Sequence, residues 1–198
     1  MKNKTLWIVL AVVAVLVLWG VSAYNKMVKS EENVGQAFSN IETACQRRME
    51  LIPNLVNTVK GAANFERGTL TDVIEARSKA SSIQIDANNL TEESISNFMK
   101  AQDELSKAIN RTISLTVERY PELTATQNFS DLQRQIEGAE NRIATERVHY
   151  AAAVKQYNSL IRSFPNNIFA GLFGFDKKPY IEAPEGANRA PEVDFSEM

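Results

Sequence analysis

Cysteine and histidine are nearly absent from this sequence, whose 198 residues include one of each. One cysteine excludes an intrachain disulfide framework, and one cysteine with one histidine excludes the usual Cys/His zinc sites. The formal net charge of −2 provides no basic surface of the kind that binds nucleic acid. The composition therefore predicts a protein with no metal, no cofactor and no nucleic-acid partner.

The sequence does contain one long apolar run near its beginning. The residues from Leu6 to Ala23 carry no charge, and Thr5 and Tyr24 extend the run to residues 5–24. A helix of about 20 residues spans roughly 30 Å, which is the thickness of a hydrocarbon core. The run predicts a transmembrane anchor that contacts the lipid bilayer, preceded by a basic flank at residues 1–4.

Two questions about this segment stay open in the sequence. Val21-Ser22-Ala23 fits a signal-peptidase site, so a cleaved signal peptide is the alternative to an anchor. The apolar run is longer than a signal-peptide core and reaches the candidate cleavage site without a polar stretch, which favours the anchor. Lys2 and Lys4, against Lys26 and Lys29 on the other side, give a weak positive-inside bias that places the rest of the chain outside the cytoplasm.

The residues after Tyr24 show the three- and four-residue spacing of helix faces. A first helix continues from the anchor, and a kink or a break is expected at Pro53 because proline removes the bond to the Met49 carbonyl. A shorter second helix follows Gly61 and Gly68. The chain is therefore predicted to be all-α.

A third and a fourth helix complete the pattern. The third begins after Thr91, a good N-cap residue, and ends before Pro121. The fourth covers residues 128–164 and is nearly as long as the first. Short connections make sequential helices antiparallel, so residues 25–164 are predicted to form a coiled-coil-like four-helix bundle whose last residue, Phe164, returns to the level of the anchor.

Two further segments follow the predicted bundle. Residues 165–175 are apolar and interrupted by glycine, and they are too short to cross a membrane. Three positions are open for this segment: it covers the end of the bundle core, it enters the lipid interface, or it docks on a neighbouring subunit. Its large apolar side chains are Ile168, Phe169, Leu172, Phe173 and Phe175. Residues 176–198 contain three prolines and predict an extended or disordered tail.

Several motifs, in order along the chain, resemble the LemA family of bacteria. They are RRMELIPNLVNTVKGAANFE at 47–66, EAR at 75–77, YPELTATQNF at 120–129, LQRQIEGAENRIATER at 132–147 and YNSLIRSFPNNIFAGLFGF at 157–175. The resemblance covers roughly residues 1–181. It implies a single-pass protein of the bacterial inner membrane with an antiparallel helical bundle, and it implies no reaction.

A polar cluster in the helices is the best candidate for a site. Glu146 falls on the apolar seam of the fourth helix and Arg77 on that of the second. A buried carboxylate and a buried guanidinium are stable only when they are paired and hydrogen-bonded. We therefore expect a shared network between helices that fixes their register. Its candidate members are Arg47, Arg48, Asn54, Arg77, Glu140, Asn141, Arg142, Glu146 and Arg147.

A catalytic role for these side chains would need partner residues that the sequence does not supply. Glu146 and His149 form the Glu-x-x-His pair of di-iron bundles, but that site requires a second pair and the chain has one histidine. Cys45 lies on a helical seam with no base near it in sequence.

We expect a non-enzymatic, membrane-anchored scaffold that self-assembles or binds other membrane proteins. The alternative is a helical sensor or regulatory subunit that binds a ligand at the polar cluster.

Overall fold

The computed structural model describes residues 2–61, 66–87 and 89–182. These residues form helices and connections and contain no strand, which confirms the all-α prediction. The helices are α1 (Lys2–Lys60), α2 (Arg67–Ser82), α3 (Glu92–Arg119), α4 (Pro121–Thr124), α5 (Gln127–Arg162) and α6 (Asn166–Phe173). The two short helices α4 and α6 are additions to the four that the periodicity predicts.

Helix α1 runs without interruption from the apolar segment to the far end of the bundle. Its N-terminal part, with a mean hydropathy of 2.6, is long and apolar enough to cross a membrane. We call residues 5–24 the anchor segment and the nearby end of the bundle the anchor end. Of the kink and the break that the sequence predicts as alternatives at Pro53, the break is wrong, because α1 continues to Lys60 with Pro53 on its exposed side.

The long helices alternate in direction. Helix α5 runs antiparallel to α1, since Arg48 pairs with Glu140 and the ring of Phe38 contacts that of Tyr150. Helix α3 runs in the same direction as α1, because Phe38 contacts Phe98 and Arg48, further along α1, contacts Gln102, further along α3. Helix α2 is antiparallel to α3, to which it is linked by surface ion pairs. These are Lys79–Glu104 and Asp72–Arg111.

Helix α3 begins where its capping residue predicts. The Thr91 hydroxyl accepts a bond from the Ser94 backbone N–H (3.1 Å), and the Ser94 hydroxyl accepts one from the Thr91 backbone N–H (3.1 Å). This reciprocal arrangement satisfies two donors that a helix start leaves free. The seam residues of α3 are buried, including its polar members. They are Ile95, Phe98, Gln102, Leu105, Ile109, Thr112 and Thr116.

The predicted fourth helix is slightly too long at its C-terminal end. Helix α5 ends at Arg162, and Phe164 is 82% exposed instead of continuing the buried seam. Pro165 supplies the reason, because a residue before proline is pushed out of the helical region. After a turn the chain forms α6, which packs beside the end of the anchor segment that is nearest the bundle.

The first residues of the predicted tail lie against the bundle. Residues 176–182 run in extended conformation away from the anchor end, across α5. The Asn158 side chain donates to the Lys178 carbonyl and accepts from the Lys178 N–H, both at 2.9 Å. The hydroxyls of Tyr157 and Tyr150 donate to the carbonyls of Asp176 and Pro179. The rest of the predicted tail, residues 183–198, lies outside the described residues.

Candidate functional site

Arg48 is the centre of a polar layer in the middle of the bundle. Its side chain extends from α1 and is 1% exposed. One terminal nitrogen, Nη2, donates to the Gln102 side-chain oxygen (2.5 Å) and to the Gln102 backbone carbonyl (3.1 Å). The other, Nη1, donates to Glu140 (2.8 Å) and to the Ser106 hydroxyl. One guanidinium therefore binds groups on α3 and α5 together.

Two further contacts complete the layer between α3 and α5. The Ser106 hydroxyl donates to the Glu140 carboxylate at 3.0 Å, so Glu140 accepts bonds from two helices. Arg147 on α5 pairs with Asp103 on α3 at 2.8 Å, with both side chains about three-quarters buried. We refer to this set as the polar layer. It consists of Arg48, Gln102, Asp103, Ser106, Glu140 and Arg147.

The polar layer separates two apolar cores. The core at the anchor end includes Cys45 and Ile143, whereas the core at the far end begins at Met49 and includes Ile136. Within the described residues, Nε of Arg48 and the amide nitrogen of Gln102 are buried without a hydrogen-bond partner. Unpaired buried donors reduce stability. These two nitrogens therefore offset part of the stability that the other bonds of the layer contribute.

Arg77 has a different role from the one that its seam position predicts. It is exposed at the surface of α2, and its Nε donates to the backbone carbonyl of Met49 at 3.1 Å. That carbonyl lies four residues before Pro53, so it is the one that proline leaves without its helical N–H donor. Arg77 thus satisfies the acceptor that Pro53 exposes, and the expected pairing of Arg77 with Glu146 is not formed.

This arrangement predicts an energetic coupling between Arg77 and Pro53. Replacing Arg77 by methionine is expected to lower the free energy of unfolding by about 1 kcal/mol, the net contribution of a typical intramolecular hydrogen bond, because Arg77 is exposed. In a Pro53→Ala background the Met49 carbonyl regains its helical donor, so the same change is expected to cost less. A double-mutant cycle measured by urea unfolding of the full chain in detergent tests this coupling.

Lys79→Met is the matched control, since Lys79 lies on the same helix in an exposed ion pair with Glu104. Exposed pairs contribute about 0–1 kcal/mol, and this one involves no atom of Pro53 or Met49. Its cost is therefore expected to be equal in both backgrounds. If Arg77→Met also cost the same in both, the proposed link to Pro53 would be refuted.

Glu146 is buried on the seam of α5, but its partners lie on its own helix. Its carboxylate pairs with Nε of Arg142 at 2.8 Å and lies 3.3 Å from Nδ1 of His149. Both partners reach it from the exposed surface of the helix. The negative charge of this buried carboxylate is thus paired with an exposed arginine of the same helix, and no second helix has to contribute a cation.

The remaining predicted residues are distributed around the bundle surface. Arg47, Asn54 and Asn141 are exposed. Three members of the polar layer, Gln102, Asp103 and Ser106, were absent from the predicted network. Gln102 did carry a signal, because it is a polar residue on the seam of α3.

Burial keeps the thiol of Cys45 and the phenols of two tyrosines protonated. Burial raises the pKa of the Cys45 thiol to about 11, which keeps it protonated at neutral pH. Burial also raises the pKa of Tyr150 and of Tyr157, whose hydroxyls act as donors to residues 176–182. Across residues 2–61, 66–87 and 89–182, no three His, Cys, Asp or Glu side chains are grouped as a metal site would require.

The fold and these contacts define a class of protein: a long helical bundle with a central polar layer, continued at one end by a helix that fits a membrane anchor. The LemA family model matches residues 37–195. The chain belongs to the LemA family. This agrees with the resemblance seen in the sequence motifs and extends it toward the C-terminus.

Curated relatives are similar at low identity over most of the chain. Protein LemA of Metamycoplasma hominis is 26% identical over 174 residues, which is 88% of this chain and 74% of the relative. Magnetosome protein MamQ 2 of Paramagnetospirillum magneticum is 26% identical over 183 residues, covering 82% of this chain and 66% of the relative. MamQ of Magnetospirillum gryphiswaldense is 25% identical over the same shares. None of these names describes an enzyme.

Proposed function

We propose that this protein is a non-enzymatic scaffold, anchored in the bacterial inner membrane, that self-assembles side by side. The observation that carries the proposal is the continuity of α1, which passes from the anchor segment to the far end of the bundle as one helix. From Tyr24 to Lys60 it extends about 55 Å at 1.5 Å per residue. A bundle fastened in this way holds its side surfaces upright at a fixed height above the bilayer.

Contacts of the anchor segment with later parts of the chain support an uncleaved anchor. The ring of Phe169 packs edge-on against Trp19 with centroids 5.2 Å apart, and Phe173 packs similarly against Tyr24 at 5.1 Å. Ala23 is buried in the core at the anchor end. Cleavage after Ala23 would remove Trp19 and expose the surfaces that it covers.

The outer face of α5 is the surface that we propose for self-assembly. Val148 is 67% exposed at its centre, and Ala144, Ala151 and Ala152 around it are exposed as well. Anchored copies all have the same orientation relative to the membrane. A two-fold axis along the membrane normal would then bring this face against itself at equal height, with small side chains that allow two helices to approach closely. The occupant that we propose for this face is therefore a second copy of the chain.

Cysteine crosslinking tests the assembly and the membrane side together. The native Cys45 is 1% exposed, so unmodified protein is expected not to react with a bismaleimide. Val148→Cys is expected to give a crosslinked dimer in intact cells with a membrane-impermeant reagent, because we place the bundle outside the cytoplasm. Ser114→Cys, at an exposed position of α3, is the matched control that is expected to remain monomeric.

The reagent separates the two parts of the proposal. A dimer that forms only with a membrane-permeant bismaleimide would retain self-assembly and place the bundle in the cytoplasm. Equal crosslinking of the Val148→Cys and Ser114→Cys variants, or no dimer with either reagent, would contradict assembly through α5.

The alternative function, ligand sensing at the polar cluster, gains less support from these contacts. Both terminal nitrogens of Arg48 already donate to Gln102, Ser106 and Glu140. A ligand at this position would have to displace those groups and separate α1 from α3. The bonds favour a structural role for the layer, and the scaffold is the function that we propose.

A further inference from the structure

Helix α6 and the anchor segment enclose an apolar groove. The groove lies along one face of α1 from Val13 to Tyr24 and is closed on the other side by the rings of Phe169 and Phe173. Its volume is about 670 Å³, which is in the range of about 300–1,000 Å³ typical of ligand sites. The phenol of Tyr24, at one end, is the polar side chain among the residues that line it.

Gly20 sets how closely the two walls approach. A Cβ atom at this position would lie 3.1 Å from Cε1 of Phe169, which is tighter than ordinary contact. The absence of a side chain therefore lets the Phe169 ring lie directly on the α1 backbone. The rings of Phe169 and Phe173 are stacked, with an interplanar angle of 11° and centroids 6.3 Å apart, and form a continuous wall.

The groove has the length and the surroundings of one membrane leaflet. Val13 and Tyr24 are separated by about 16 Å of helix at 1.5 Å per residue. Half of a hydrocarbon core about 30 Å thick is about 15 Å. Because its α1 wall belongs to the anchor segment, the groove is continuous with the surface that faces lipid chains in a membrane.

The outer side of α6 is apolar as well. Ile168, Leu172 and the preceding Phe164 are exposed, and α6 itself contains no charged residue. Tyr24 and Trp19, beside α6, are side chains that prefer the membrane interface. A short apolar helix at this height fits the interfacial layer of a bilayer better than water.

We propose that the groove binds one acyl chain of a phospholipid from the leaflet next to the bundle, and that α6 lies in the interface of that leaflet. The proposal rests on the membrane anchoring in the proposed function. The chain would run along α1 with its end near Val13 and its ester region near Tyr24. The lipid would then connect α6 to the anchor segment and hold the base of the bundle on the bilayer.

The test uses the full chain in vesicles of phosphatidylethanolamine and phosphatidylglycerol that contain a phospholipid with a spin-labelled acyl chain. Val17→Trp fills the groove from the α1 side, and Val13→Trp fills its deep end away from the Phe169 contact. Leu18→Trp, at a neighbouring position that does not line the groove and is 70% exposed, is the matched control. Circular dichroism checks that each variant keeps its helices.

The unmodified protein and Leu18→Trp are expected to immobilise one more lipid per chain than Val17→Trp or Val13→Trp. Native mass spectrometry from detergent is expected to show a retained phospholipid on the first pair and none on the second. Equal retention by all four proteins would show ordinary annular lipid and overturn the proposal. A Val17→Cys variant that crosslinks to a second copy would overturn it in favour of a protein occupant.

Flotation of the vesicles separates this outcome from a failure of the proposed function. A chain that does not float with the vesicles would contradict the membrane anchor itself. A chain that floats but immobilises no additional lipid would leave the anchor in place and contradict the groove alone.

Discussion

Replacing Arg48 by alanine is expected to lower the free energy of unfolding by about 3 kcal/mol, near the lower end of values for breaking a buried ion pair. The change removes four hydrogen-bond contacts and leaves the buried side chain of Gln102 without its donor. Glu140 is 31% exposed and regains water, which moderates the loss. Urea unfolding of the full chain in detergent measures the change.

Arg47→Ala is the matched control, because the neighbouring Arg47 is exposed and surface substitutions usually change stability by about 0.5 kcal/mol or less. Arg48→Met, which keeps most of the volume, is expected to cost less than Arg48→Ala. A cost for Arg48→Ala no larger than that for Arg47→Ala would show that the polar layer contributes nothing to stability.

Replacing Phe38 by alanine is expected to lower the free energy of unfolding by about 3–5 kcal/mol, as for other buried phenylalanines. Its ring is fully buried and contacts the rings of Phe98 on α3 and Tyr150 on α5, with centroids 5.7 and 5.8 Å away. The substitution would leave a cavity where α1, α3 and α5 meet and remove the ring contacts between them. It would also loosen Tyr150, whose hydroxyl holds the Pro179 carbonyl. Thermal unfolding measures the loss, and limited proteolysis is expected to cut residues 176–182 faster.

Val117→Ala removes part of a side chain that is 50% exposed on α3, away from the proposed assembly face, and serves as the control, with an expected change of about 0.5 kcal/mol or less. A similarly small change for Phe38→Ala would place Phe38 outside the cooperative core. Unchanged proteolysis of residues 176–182 in a destabilised Phe38→Ala variant would show that their attachment does not depend on this part of the core.

The helical seam that contains Phe38 shows which buried residues the local sequence pattern predicts. Residues at three- and four-residue steps, such as Phe38, Ile41 and Cys45, are buried as their spacing predicts. Thr91 begins α3 for the same kind of reason, since its cap is made with Ser94 three residues later. The predicted end of α5 is two residues too late. The apolar pattern includes Phe164, but Pro165 excludes helical backbone at the residue before it.

The candidate site was only partly predictable. Arg48, Glu140 and Arg147 were among the candidates and lie in the polar layer. Gln102, Asp103 and Ser106 lie in the same layer but were not among the candidates. Pro53 and Arg77 each carried a signal, yet their connection through the Met49 carbonyl requires knowledge of the height at which α2 lies beside α1. The attachment of Lys178 to Asn158 had no local signal.

By itself the sequence determined the anchor-like apolar segment, the all-α bundle and most of its buried seam, because apolar spacing and capping repeat within each helix. The tertiary structure alone decided which polar groups meet and where residues 176–182 lie. It also placed Phe169 on Gly20 and so formed the groove. The physical reason is that such contacts depend on the relative heights and rotations of separate helices, which no local spacing encodes.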